Sequence, residues 1–448
     1  MKKTIYIFLA VALVTTILFS HKIIVGGYDK QNLFIIKFKE IMPTELKNKL
    51  RSAVYSLRAK LNEDKDKKID QAKFKQGLNG NLIKSKLIKS ETGAKKFIVR
   101  EFFLPFKRLD LNYGWRAIKN SKRAHYLEII NDKTLVVSGE GEFIYFETKN
   151  FNSNKLNQKA ISTNIDALVS SNNLELIGIR DLLIDDENIY ISVILKDKNE
   201  NYTLSILSST FDINKLDFEF FFDTELNLNN FSITTGGRIV KFEDNQLLFS
   251  IGYHGALDKV QNLNHLAGKI ISINKLNKNY KILSLGHRNP QGLFYYQDKK
   301  GNKFILNSEH GPKGGDEINV NNLENNKLFN FGWPIASYGI NYDGTNPFKP
   351  SHNEYGFDEP LKYFTPSIGI SEISIIDDNK DFNTILVSSL RANSIYLLKI
   401  DKKFTKVFNT DRLDLDYRIR DLKYVESLDG HIMIFENTPS IGFIKNKI

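Results

Sequence analysis

From Phe97 onward the apolar residues fall in short runs of strand length, and the runs recur with one shape. An apolar strand is followed by a turn carrying Asp or Asn, a second apolar strand, and then a small residue. YLEIINDKTLVVSG ends at Gly139, and DLLIDDENIYISVI begins at Asp181. RIVKFEDNQLLFSIG begins at Arg238, and GLFYYQDKKGNKFILNS at Gly292. EISIIDDNKDFNTILVSS begins at Glu372, and DLKYVESLDGHIMIFE at Asp421. These are six copies, mostly about 50–60 residues apart, with one longer gap containing residues 320–370. A β repeat of this size buries its faces only against its neighbours, which predicts an all-β, six-bladed β-propeller over residues 97–448. A large sandwich would not explain the count.

The first 96 residues follow other periods. Met1, Lys2 and Lys3 precede an apolar run from Ile5 to Phe19, with no small-x-small cleavage site behind it. Residues 1–22 read as a signal anchor or a cleaved signal peptide, with a buried soluble helix as the plain alternative. The leading lysines keep the N-terminus cytoplasmic and export the chain beyond the run. The expected address is the inner membrane facing the periplasm, or the periplasm itself after cleavage. Between Pro43 and Gln76, Leu46, Leu50, Val54, Leu57 and Leu61 form an apolar stripe at helical spacing, with Lys47, Lys49, Arg51, Arg58 and Lys60 on the other faces. Residues 43–76 are therefore expected to be a helix that serves as stalk, self-association element or lipid-surface helix, or that packs on its own domain. Gly77–Lys96 reads as a linker, so residues 23–96 form a basic helical stalk and linker.

Charge sharpens this division. The chain of 448 residues carries a formal charge of +11. Residues 1–96 hold 21 Lys+Arg against 8 Asp+Glu, and the other 352 hold 42 against 44. A near-neutral propeller is no phosphate-gripping surface, so no nucleic-acid partner is expected. The absence of cysteine excludes disulfides, thiolate metal sites and a cysteine nucleophile.

Candidate chemistry concentrates in one segment. Gly286-His287-Arg288-Asn289-Pro290-Gln291-Gly292 is followed by Ser308-Glu309-His310-Gly311-Pro312-Lys313-Gly314-Gly315-Asp316-Glu317-Ile318-Asn319, then Asn330-Phe331-Gly332-Trp333-Pro334 and Ser337-Tyr338-Gly339. In these motifs the sequence resembles the glucose/sorbosone dehydrogenase family, and most of all its aldose sugar dehydrogenase branch. The resemblance is strong over 282–342 and weaker over the rest of the propeller, and it does not reach residues 1–96. It implies a calcium- and pyrroloquinoline quinone (PQQ)-dependent oxidoreductase that moves hydride from a sugar's C1 to the quinone. PQQ is a planar tricarboxylate, which calls for fixed arginines, and calcium calls for oxygen ligands. By resemblance Arg288 and Asn289 would contact the quinone, and Arg418 and Arg420 in Tyr417-Arg418-Ile419-Arg420-Asp421 would hold its carboxylates. Arg391 falls where the family has a cofactor lysine. The Gly311 and Pro312 carbonyls would ligate calcium, with Asp316 and Glu317 in the adjoining acidic loop. An arginine pair at strand spacing is also what a plain inter-blade salt bridge looks like.

The resemblance breaks at the catalytic base. The family has a histidine just before Gly-Gly-Arg, where this chain reads Thr234-Thr235-Gly236-Gly237-Arg238. A threonine hydroxyl cannot act as a general base at neutral pH. The family's orienting acid after Ile-Gly is replaced by Tyr253-His254 behind Ile251-Gly252. A glutamine-glycine-glycine stretch is also missing; its nearest match, Leu176-Ile177-Gly178-Ile179-Arg180-Asp181, puts Leu176 in the glutamine's place. Phe331 replaces a tyrosine. His254 is the candidate relocated base. The alternatives are a non-catalytic exported propeller that binds sugar, quinone or calcium, and a protein-interaction scaffold.

Overall fold

The computed structural model describes residues 80–106, 122, 124–229, 231–378, 381–436 and 440–446. The anchor and the helical stalk expected within residues 1–76 lie outside the described residues. Among the described residues no helix is long and apolar enough to cross a membrane.

The strands form six sheets, and the first strands of consecutive sheets neighbour one another in a closed ring. This is the expected six-bladed propeller. The inner strands of blades 1 to 6 are His125–Ile130, Glu175–Asp185, Gly236–Lys241, Pro290–Gln297, Ile370–Asp378 and Ile419–Val425. Each pairs antiparallel with the next strand of its blade. Those two strands are the repeat read from the sequence. Their turns contain Asn131, Asp132, Asp186, Asn245 and Asp429 at positive φ. Asn and Asp are the residues that tolerate this left-handed conformation in tight hairpins.

Blade 6 closes the ring with both ends of the described chain. Ser440–Asn446 pairs with Lys96–Phe103, which pairs in turn with Leu82–Lys89. The linker expected over Gly77–Lys96 is thus a strand from Leu82 to Lys89, and the propeller starts before residue 97. That strand is an outer edge, where lysines such as the exposed Lys84 and Lys89 discourage pairing with other sheets. An edge strand built this way lacks the apolar alternation that would mark it in a sequence.

Six apolar clusters fill the gaps between neighbouring blades. The cluster between blades 3 and 4 is the smallest, centred on Leu248, Ile270, Leu293 and Ile305. Beside it Asn307, Glu309, Glu317, Asn319 and Asn321 are buried on the neighbouring strands Lys303–Glu309 and Asp316–Asn322. The long gap in the repeat has a structural use. Phe329–Asn330 returns to pair in parallel with Ser284 and Leu285 on blade 3, carrying Phe331 and Trp333 to the segment that holds Arg288.

Candidate active site

Five inner strands break register near the channel. The breaks fall between Ile179 and Asp181, Gly236 and Ile239, Pro290 and Gly292, Ile370 and Ile373, and Ile419 and Asp421. A β-bulge leaves a residue unpaired and re-aims its side chain, often at a functional site. The residues released here include Arg180, Arg238, Gln291, Glu372 and Arg420.

Arg238 is the structural hub. Its Nη1 lies 2.9 Å from Asp181 Oδ1 and 3.1 Å from Asp421 Oδ1, and its Nη2 lies 3.1 Å from Glu372 Oε2. Its Nε donates to the Gln291 carbonyl at 2.6 Å. The carboxylates reach onward: Asp181 accepts from Ile239 N–H and Asp421 from Leu127 N–H, both at 2.8 Å. Burial, reinforced by Asp421 and Asp181 against the pull of Arg238, pushes Glu372 up to about 8.

Asn289, Gln291 and Arg420 form a second chain of contacts. Asn289 Oδ1 accepts from Gly236 N–H at 3.2 Å and from Gln291 Nε2 at 3.1 Å. Gln291 Oε1 accepts from Arg420 Nη1 at 2.8 Å. The predicted cofactor residues Asn289 on blade 4 and Arg420 on blade 6 are thus brought together. Arg418 and Arg420 share Glu436: Arg418 Nε lies 2.8 Å from Oε2, and Arg420 Nη2 lies 2.5 Å from Oε1. The arginine pair is in part an ion-pair element, as its spacing allowed. Arg391 is exposed on the turn between Asn383–Ser389 and Ser394–Ile400, and its N–H donates to the Ile368 carbonyl at 3.0 Å.

Glu309 organises the other wall. Its Oε2 accepts from Arg288 N–H at 2.6 Å, and its Oε1 meets His287 Nδ1 at 3.0 Å and Asn319 Nδ2 at 2.6 Å. Burial works to raise this carboxyl, but His287 and the backbone donors outweigh it and hold it low. Phe331 packs its ring 5.2 Å from that of His287. The Arg288 guanidinium sits over the Trp333 and Tyr253 rings, 5.2 and 5.8 Å from their centroids. A small pocket adjoins it, lined among others by Glu309, Gly311, Glu317 and Trp333.

The donors suit a planar polycarboxylate. Arg288 Nε and Trp333 Nε1 are buried with no hydrogen-bond partner, so an acceptor-rich ligand would satisfy groups that are otherwise costly to bury. Calcium is fitted less directly. Arg288 Nη1 donates to the Gly311 carbonyl at 2.8 Å and to the His310 carbonyl at 3.0 Å, so the predicted calcium ligand Gly311 already faces a cation. Asp316 accepts from the N–H groups of Gly311, Gly369 and Ile370 at 3.2, 2.7 and 3.0 Å. Its oxygens therefore brace the loop carrying Gly311 and Pro312. Glu317 is buried across the strand pair from Glu309, and burial together with the Glu309 charge pushes it well above the usual carboxylate range. Among the described residues no three His, Asp or Glu side chains converge as a metal cluster.

Thr234 and His254 are neighbours. Thr234 Oγ1 lies 2.6 Å from Ser232 Oγ, and the Thr234 carbonyl accepts from His254 N–H at 3.0 Å. His254 is buried at φ +51°, in the left-handed region that His adopts more readily than most non-glycine residues. Burial lowers its pKa to about 3, so the imidazole is neutral. Sequence reasoning missed Gln291, Glu309 and Glu436 as site residues. The first two stand inside the motifs already singled out, whereas Glu436 has no local signal and is recognised only by the arginines it meets.

Residues 130–444 match the family described as Glucose / Sorbosone dehydrogenase. An uncharacterized protein of Synechocystis is 29% identical over 225 residues, 44% of this chain and 52% of its own length. The aldose sugar dehydrogenase YliI of Escherichia coli is 28% identical over 229 residues, 47% of this chain and 59% of its own length. The chain thus spans little more than half the length of these relatives. The PQQ-bound aldose sugar dehydrogenase of Streptomyces coelicolor shares the fold, with a TM-score of 0.52 at 18% identity, covering 78% of this chain and 98% of its own. The family match over residues 130–444 takes in more than half of the sequence, including the motif segment, and by it the chain belongs to the glucose/sorbosone dehydrogenase family.

Proposed function

We propose that this propeller is a PQQ-dependent sugar dehydrogenase, using the mouth of its channel between blades 3, 4 and 6. The observation that carries the reading is the continuous link Gly236–Asn289–Gln291–Arg420, which fixes polar cofactor contacts from three blades relative to one another. Fixed donors of this kind bind a rigid tricarboxylate without reorganising.

The residues divide the work. Arg420, Arg418 and Arg391 would hold carboxylates, and Arg288 and Asn289 would lie against the quinone oxygens. When bound, PQQ supplies the two-electron acceptor for hydride from a sugar's C1. Calcium belongs to the proposal through the Gly311 and Pro312 carbonyls, with Glu317 as a nearby acid that a cation would return to its ionised form. His254 would accept the proton of the C1 hydroxyl at Nε2, which is buried and without a partner in the structure. Thr234, engaged with Ser232, stands in the place of the family's histidine and serves the backbone contact that sets His254. The reading includes export: Lys2 and Lys3 ahead of the apolar run Ile5–Phe19 would tether the propeller to the inner membrane, facing the periplasm.

The test is dye-linked oxidation of aldoses by the full chain in detergent, after incubation with PQQ and calcium. Sugar-dependent dye reduction that requires both additions is the expected result. PQQ binding without turnover would leave a binding propeller, and no binding would overturn the reading.

A further inference from the structure

Arg180 touches these contact networks only through the backbone of Gly236. It is 6% exposed, on the inner strand of blade 2, and it is the unpaired residue of the bulge between Ile179 and Asp181. Its Nε makes a long contact, 3.4 Å, with the Gly236 carbonyl. No carboxylate among the described residues lies within ion-pair distance of it. Glu436 attracts it at longer range, but that carboxylate is already shared by Arg418 and Arg420. Burial works most against its charge, and Arg420 and Arg238 repel it, opposed by Tyr126 and Glu436.

An arginine does not escape such a position by losing its proton, so its burial is a standing cost. The backbone is nonetheless shaped around it. Gly237 has φ +108°, and a Cβ there would stand 2.5 Å from Arg180 Cβ and 3.2 Å from its Cγ. The stem therefore passes where only a glycine leaves room. Gly236, whose carbonyl meets Arg180, also donates its N–H to Asn289 Oδ1, which puts Arg180 beside the link that runs on through Gln291 to Arg420.

We propose that Arg180 is an anchor for a carboxylate of the ligand, a cation on blade 2 that completes the arginine set of blades 4, 5 and 6. The position falls in the stretch where the family's glutamine-glycine-glycine is absent, so the anchor is a property of this chain. The shared chemistry has two sources, a carboxylate of the quinone, which rests on the proposed function, or the carboxylate of an acidic sugar. An unpaired guanidinium offers a bidentate fork to either.

The test compares full-length wild type with R180M and R180Q, using calorimetry and thermal unfolding with PQQ, glucuronate and glucose. Each variant is expected to lose about tenfold to a hundredfold in affinity for the carboxylate ligand, the effect of one charged hydrogen bond. Glucose should not distinguish them from wild type. Their melting temperature without ligand should equal or exceed that of wild type, because an uncompensated buried cation is gone, and R180K should recover part of the affinity. Loss for PQQ assigns the quinone carboxylate. Loss for glucuronate with PQQ unchanged assigns an acidic sugar. If wild type binds glucuronate through Arg180 and ignores PQQ, the anchor stands and the quinone reading fails. Equal affinities in wild type and both variants, or no binding of either carboxylate by wild type, overturn the anchor.

Discussion

Arg420 donates from Nη1 to Gln291 Oε1 at 2.8 Å, joining blade 6 to blade 4 at the channel. The same glutamine donates from Nε2 to Asn289 Oδ1 at 3.1 Å. Gln291 is buried and is the bulged residue of its strand, so neither contact is available to an ordinarily paired strand position. Two proposed cofactor-binding positions 131 residues apart in sequence thus have their geometry set by one amide.

Gln291→Met tests this coupling. The methionine fills similar volume but leaves Arg420 Nη1 and Asn289 Oδ1 each short of a partner. A hydrogen bond to a charged group contributes about 1.5–3 kcal/mol, so PQQ affinity should fall by roughly tenfold or more. Calorimetric titration of wild type and variant decides it, and an unchanged affinity would show that Gln291 positions nothing.

Glu436→Gln probes the charge balance. The carboxylate meets both Arg418 and Arg420, and the change leaves a buried Arg420 without its anion. Breaking a buried pair in this way costs about 3–5 kcal/mol. Arg418 is one-third exposed and should contribute the smaller share. A carboxylated ligand would restore the missing anion, so the PQQ-induced rise in melting temperature should be larger in the variant than in wild type. Denaturant unfolding and ligand-dependent melting measure the two halves.

The repeat was legible in the sequence because its signal is local. Each inner hairpin couples two apolar runs to a short polar turn, and Asn131, Asp132, Asp186, Asn245, Gly301 and Asp429 in those of blades 1 to 4 and 6 have the positive φ that such hairpins need. The strand Leu82–Lys89 was not legible, because a lysine-bearing edge strand shares its composition with a solvated linker. The site divides in the same way. Arg288, Asn289 and Gly311 announce themselves in dense motifs, whereas Arg180 and Glu436 acquire meaning only from partners far away in the chain. A bulge has no sequence signature as strong as a turn, and bulges aim most of the channel side chains here.

His254→Asn addresses the base. Asparagine tolerates the left-handed conformation at this position, so the fold should survive. Turnover should drop by about 100-fold or more if the imidazole removes the sugar proton. Because burial holds the wild-type imidazole at about 3, it is already deprotonated through the neutral range. The pH profile of kcat/KM should then be flat from about pH 5 to 8, with no acid limb near the ordinary histidine value of about 6.5. A limb near that value, or full activity in the variant, would remove His254 from the mechanism.

Acid sensitivity of the fold follows from a second buried imidazole. His431, on the blade 6 strand Gly430–Phe435, lies 3.3 Å from Ser374 Oγ, and burial lowers its pKa to about 3. Its folded-state pKa is thus below its unfolded value of 6.5. As pH falls below 6.5 the unfolded chain takes up a proton that the folded chain refuses until near pH 3. Stability is therefore lost on acidification across that window. At pH 5 the penalty from this group is about 2 kcal/mol relative to pH 7. Glu372 works in the opposite sense, binding its proton more tightly when folded, so the total pH curve mixes the two. The difference between wild type and His431→Leu isolates the histidine, because the change leaves the Glu372 cluster in place. Unfolding by urea at both pH values should show the variant gaining about 2 kcal/mol on wild type at pH 5 compared with pH 7. A constant difference would mean that His431 takes up its proton in the folded state.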